Sequence, residues 1–153
     1  MPTVYDVPAD ELIRRTAAHL RENVLEVSPH PLAGLVKTSS QRENPPESTD
    51  FWYIRCASIL RKIYLGKFVG IDELRKVYGG LWGSRGNVGK HKRRSGGAMI
   101  RACLKQLEAA GLVKIVDKRG RALTEKGVAV LDTLADEVLD EWVKEVPELK
   151  KYV

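Results

Sequence analysis

Cysteine is nearly absent from the chain: Cys56 and Cys103 are the only two, and no CxxC spacing joins them. That argues against a disulfide framework and against a zinc site of paired thiols. Both cysteines fall in apolar, helix-patterned stretches, which predicts small buried side chains in a reducing compartment. Histidine is almost as scarce, at three residues, and no HExxH is present. There is no GxSxG and no glycine loop closing on Lys-Ser/Thr, so neither nucleophilic hydrolysis nor P-loop chemistry has a foothold. No apolar run approaches 18 residues and no signal-type segment opens the chain. A soluble, cytoplasmic protein with no membrane partner is expected. These absences predict no enzyme activity, no cofactor and no metal.

What the chain does have is positive charge. Its 153 residues carry a formal +6, and a basic balance of this kind points to an anionic partner, most often nucleic acid. The charge is unevenly spread. Residues 132–148 hold seven carboxylates and one lysine, a local −6, so the remainder carries +12. With 43% hydrophobic residues and this length, one domain over residues 1–153 with a real core is expected.

The stretch DFWYIRCASILRKIYLG, residues 50–66, organises the rest. At 100° per residue it is apolar around nearly its whole circumference, the mark of a buried helix. Its polar positions Arg55, Ser58, Arg61 and Lys62 share one stripe. A buried helix with a cationic stripe must turn that stripe towards solvent, a carboxylate or a phosphate, because an unpaired buried charge is costly.

Before this helix, residues 7–27 read as a first helix. Pro8 suits its first turn, Asp10 and Glu11 suit its positive end, and Leu12, Ile13, Thr16, Ala17, Leu20 and Val24 make its inward stripe. Residues 28–50 are broken by four prolines and read as connector, with a short helix expected over residues 32–37. After the central helix, residues 71–78 read as a short helix with Ile71, Leu74, Val77 and Tyr78 inward. Residues 79–95, GGLWGSRGNVGKHKRRS, have five glycines and no apolar period, so a loop is expected. Residues 96–110 form the next helix, ended by Gly111. Residues 112–123 read as a hairpin, and Thr124 caps a last helix with the stripe Val128, Leu131, Leu134, Ala135, Val138, Leu139 and Trp142. The fold class is therefore mainly α: a helical bundle with a winged-helix core over about residues 50–142 and a short β-hairpin wing.

The basic loop carries the strongest chemical signal. Arg85, Lys90, Lys92, Arg93 and Arg94, with His91 among them, are interleaved with glycines and lead straight into a helix start. Cationic side chains, close backbone approach and free helix N–H groups all favour phosphate. Arg101 and Lys105 lie one turn apart on the following helix, and Lys118, Arg119 and Arg121 are placed at the wing tip. Trp52 and Tyr53 have two readings, stacking on bases or covering the core; aromatics at helical spacing usually bury.

The blocks FWYIRCAS, GIDELRKVYGG and LKQLEAAGLVK…GRALTEKG, with the opening VYDVPADELI, resemble the archaeal and eukaryotic small-subunit ribosomal protein S19e family over about residues 4–140. The resemblance implies a mostly helical fold with a winged-helix core, bound to ribosomal RNA in the head of the small subunit among neighbouring ribosomal proteins. It also implies that eukaryotic relatives act in subunit maturation. It carries the family's basic surface onto Trp52, Arg55, Arg61, Gly79, Gly80 and Arg101. Outside the ribosome a monomer is expected. The competing reading is a winged-helix transcription regulator, which would read DNA through Arg101, Lys105 and Gln106 as a dimer. A protein–protein adaptor acting through the acidic helix would leave the +12 elsewhere without a role.

Overall fold

The computed structural model describes residues 2–83 and 89–152. Helix α1 (Ala9–Asn23) is followed by α2 (Phe51–Gly66), α3 (Ile71–Tyr78), the strands β1 (Gly80–Trp82) and β2 (His91–Arg93), α4 (Gly97–Ala109), β3 (Val113–Val116), β4 (Gly120–Leu123) and α5 (Glu125–Glu145). A 3-10 turn, Pro147–Lys151, closes the described chain. The two pairs of strands form separate antiparallel ribbons.

The central position of α2 follows from its composition. No side chain from Phe51 to Leu65 is fully exposed, and Trp52, Cys56, Ala57, Ile59, Leu60 and Ile63 are buried. Helix α1 lays Leu12, Thr16, Ala17 and Leu20 against it. Thr16 is tolerated in that contact because its hydroxyl donates to the Leu12 carbonyl at 2.7 Å. The helix is shorter than the 7–27 expected, because Pro8 and Val24 both have extended backbones; Val7 and Val27 still reach the core from outside it. Arg15 ties α1 to α5 through Glu137 at 3.2 Å and Glu141 at 2.7 Å. One cluster of buried side chains runs from Val4 to Leu139 and draws on α1, α2, α3, α4, α5 and the wing.

The winged-helix order holds: α2, α3 and α4, then a β3–β4 wing and α5. Val69 extends the wing by bonding Arg121 in both directions, at 3.0 and 2.9 Å. Gly120 is required in this turn. Its φ is 104°, and an added Cβ would lie 2.7 Å from the Val69 carbonyl oxygen. Gly111 ends α4 with φ 75°, as its position predicted. Thr124 caps α5 by accepting from the Gly127 amide at 3.1 Å, and its own hydroxyl donates to the Gly111 carbonyl at 2.7 Å.

Four expectations need correction. Residues 32–37 form hydrogen-bonded turns, such as Val36 N–H to the Leu32 carbonyl at 3.0 Å, and no helix, since so short a segment with Gly34 in its middle does not offset the cost of nucleating one. Residues 79–95, expected as a loop, contain the β1–β2 ribbon with Trp82 opposite His91. No apolar alternation announced it, because neither strand buries a side chain in the core. Val77 is 52% exposed, on the outer side of a helix only eight residues long. Val128 is exposed as well, and the first turn of α5 instead buries Gly127 under the wing.

Candidate nucleic-acid interface

The polar stripe of α2 meets the end of α3. The Arg55 guanidinium lies 4.1 Å from the Tyr78 ring centroid and 5.0 Å from that of Phe51. Its Nη2 also donates to the Thr38 carbonyl at 3.4 Å. Lys62 places its ammonium 5.1 Å from the Tyr78 centroid and 3.5 Å from Ser58 Oγ, and the Tyr78 hydroxyl donates to the same Ser58 oxygen at 2.7 Å. Tyr78 thus serves as a ring between two cations. Burial holds the Arg55 and Lys62 pKa values below their ordinary ranges, and for Lys62 the charges of Arg61 and Arg55 push the same way. Burial also raises the Tyr78 phenol, keeping it a neutral donor.

Among the described residues no carboxylate lies within ion-pair distance of Arg55, Arg61 or Lys62, and the buried Nε of Arg61 has no hydrogen-bond partner. Three positive groups partly withdrawn from water without an anion are a standing electrostatic cost, which a phosphate would relieve.

The start of α4 adjoins this stripe. Arg55, Ser95, Gly96 and Ile100 line one crevice. Gly97 makes room there for two guanidinium side chains: an added Cβ would lie 3.1 Å from Arg101 Nη1 and 3.3 Å from Arg75 Cδ. Arg75 also donates to the Ser95 carbonyl at 2.8 Å, fixing the entry into α4. Arg101 and Lys105 are exposed beyond it. On the other side, a groove of about 850 Å³ runs between α2–α3 and the connector, lined among others by Arg42, Phe51, Arg55, Tyr78 and Gly79.

The β1–β2 ribbon springs from this groove. Ser39 donates to the Tyr78 carbonyl at 2.7 Å, and Ser40 donates to the Arg94 carbonyl, so the connector clasps both roots of the ribbon. Gly79 and Gly80 have packing reasons: a Cβ would strike the Arg93 carbonyl at the first and approach Gln41 Nε2 at 2.9 Å at the second. Lys90, His91, Lys92 and Arg93 are exposed along it. Arg94 is partly neutralised by Asp72 at 2.7 Å. Arg85 lies outside the described residues.

Two predicted site residues are displaced. Trp52 is 1% exposed, with its indole N–H donating to Gln106 Oε1 at 2.8 Å, so it belongs to the core and not to a stacking surface. Arg121 lies in β4 away from the wing tip, and its guanidinium is paired with Glu108 at 2.9 Å. Lys118 and Arg119 do occupy the turn, with Arg119 stacked 5.3 Å from the Phe68 centroid. Arg75 and Phe51 belong to the site although the sequence reading passed over them. Gly97 directly after a basic run was the available signal for Arg75; nothing in the periodicity distinguished Phe51.

Comparison with known proteins gives the family of the chain. Residues 3–141 match the family model of ribosomal protein S19e. The chain is 45% identical to the small ribosomal subunit protein eS19 of Aeropyrum pernix, with both chains covered in full. It is 39% identical to that of Haloarcula marismortui over 99% of each chain. It is also 40% identical to eS19A of Saccharomyces cerevisiae, covering 91% of this chain and 96% of the yeast one. With a match over nearly the whole fold and relatives at this level of identity, the chain belongs to the ribosomal protein S19e family.

Proposed function

We propose that the protein is a structural constituent of the small ribosomal subunit that binds ribosomal RNA in the head and supports subunit assembly. The observation that carries this reading is the set of α2 cations, Arg55, Arg61 and Lys62, half-withdrawn from water with no carboxylate beside them. RNA phosphates supply the missing charge. The start of α4 and the ribbon extend the same cationic surface, and double-helical RNA is recognised mainly through its backbone and shape. Outside the particle the chain acts as a monomer, and within it the exposed α5 carboxylates that Arg15 does not engage, such as Asp140 and Glu145, are available to neighbouring ribosomal proteins.

The transcription-regulator reading loses ground on α4. Gln106, one of its three base-reading candidates, is held inside the protein by three hydrogen bonds. It accepts from Trp52 and from the Ser28 amide at 3.2 Å, and it donates to the Ser28 carbonyl at 2.8 Å.

The test is incorporation. Arg61→Glu together with Lys62→Glu is expected to abolish co-sedimentation with small-subunit particles while the purified protein keeps its helical circular dichroism. Normal sedimentation of the double variant would refute the reading. Arg61→Gln alone should weaken binding to small-subunit rRNA and lower the salt slope of log Kobs by about one.

A further inference from the structure

We propose that Trp82, backed by Arg93, is a stacking platform for an unpaired base of the bound RNA. This rests on the RNA-binding reading above and adds to it a different mode of contact, one made to a base and not to the backbone.

Cross-strand pairing sets the geometry. Trp82 faces His91 and Gly80 faces Arg93, so Trp82, His91 and Arg93 share one side of the ribbon, while Leu81 and Lys92 share the other. On that side the Arg93 guanidinium stacks 4.7 Å from the indole centroid. One face of the ring is thus covered by a cation. The residue is nevertheless 53% exposed, so the indole stands largely at the surface with its cation beside it.

The fold has no use for this indole. It touches no core cluster, and neither strand of the ribbon has a buried residue. Trp52 donates its N–H to a partner inside the protein, whereas Trp82 is presented at the surface. Residues 79–95 contain five lysines and arginines and no carboxylate. A field of that sign selects a polyanion, and an exposed ring selects a flat apolar group. RNA with an unpaired base offers both, the charge on its backbone and the flat ring on the base. Single-stranded bases splayed out of loops and bulges are the RNA elements that aromatic side chains stack upon, and cation–π support from arginine strengthens the platform. A paired duplex offers no free base face, so the platform confers a preference for bulged or looped RNA over regular helix.

The test uses the full chain at low salt and two RNA hairpins of equal length closed by the same tight, internally stacked tetraloop, one with a fully paired stem and one with a single bulged 2-aminopurine in its stem. The wild type is expected to bind the bulged hairpin about tenfold more tightly and to quench the 2-aminopurine. Trp82→Ala should lose that preference while binding the paired hairpin as the wild type does, and Trp82→Phe should retain most of it. An unchanged preference in Trp82→Ala, or no quenching by the wild type, overturns the platform and leaves backbone binding intact. Failure of the wild type to bind either hairpin overturns the RNA-binding reading itself. A Trp82→Ala protein that keeps hairpin discrimination but no longer joins small-subunit particles would assign Trp82 to a protein neighbour, which also overturns the proposal.

Discussion

The two hairpins of this molecule are built on opposite principles. The β3–β4 wing is rooted in the core: Val113 and Ala122 are buried, Val69 pairs with its second strand, and Thr124 clasps its exit to the end of α4. Its inner cation, Arg121, is neutralised by Glu108. The β1–β2 ribbon has no fully buried residue, is given among the described residues one counter-ion, Asp72 of α3 at the adjoining Arg94, and hangs from hydrogen bonds made by the connector at its base. A ribbon of two short strands is marginal in water without a packed face. Its order is sustained at the root, and its outer part is left for contact with another molecule. One hairpin is architecture and the other is surface.

Burial distinguishes them most sharply. Leu112, at the wing's entrance, is 2% exposed, whereas Leu81 of the ribbon is 60% exposed. Leu112→Ala is expected to cost about 2–5 kcal/mol in urea unfolding, and Leu81→Ala no more than about 0.5 kcal/mol. Equal costs would mean that the ribbon is packed after all. Charge gives the next largest contrast. Arg121→Gln should destabilise the fold by about 1.5 kcal/mol, through loss of a partly buried charged hydrogen bond, with little effect on RNA affinity. Lys92→Gln should do the reverse, leaving the unfolding midpoint unchanged and lowering the salt slope of RNA binding by about one. The smallest effect concerns the clasp. Ser39→Ala removes the donor to the Tyr78 carbonyl and should cost about 1 kcal/mol at most. Its diagnostic sign is faster amide hydrogen exchange in residues 80–82 and 91–93, with exchange in the wing unaltered.

The same contrast explains what could be read without coordinates. The wing was legible because it obeys rules with sequence signatures: a C′ glycine at Gly111, a short apolar run at Leu112 to Val116, a turn over Asp117 to Arg121 and a threonine cap. The ribbon was not, since a two-stranded ribbon that buries no side chain in the core has no apolar period to betray it. Among site residues, the stripe of Arg55, Arg61 and Lys62 was legible from helical spacing alone. The placement of Trp52 and Arg121 was not. Their fates depend on Gln106 and Glu108, more than ten residues away in each case and brought close only by the packing of α4.

The chain's own composition and periodicity determined a mostly helical fold with a winged-helix order, a buried α2 with a cationic stripe, and a basic segment entering α4. These are local properties, set by side-chain spacing, capping and charge. Tertiary structure alone decided which cations are free. Folding satisfies Arg121 and Arg94 with carboxylates from α4 and α3, yet among the described residues it leaves Arg55 and Lys62 beside Tyr78, and Arg61 on the same helix, without one. A charge left half-buried and unpaired is a property of the whole packing, because only the folded chain determines which opposite charges come within reach.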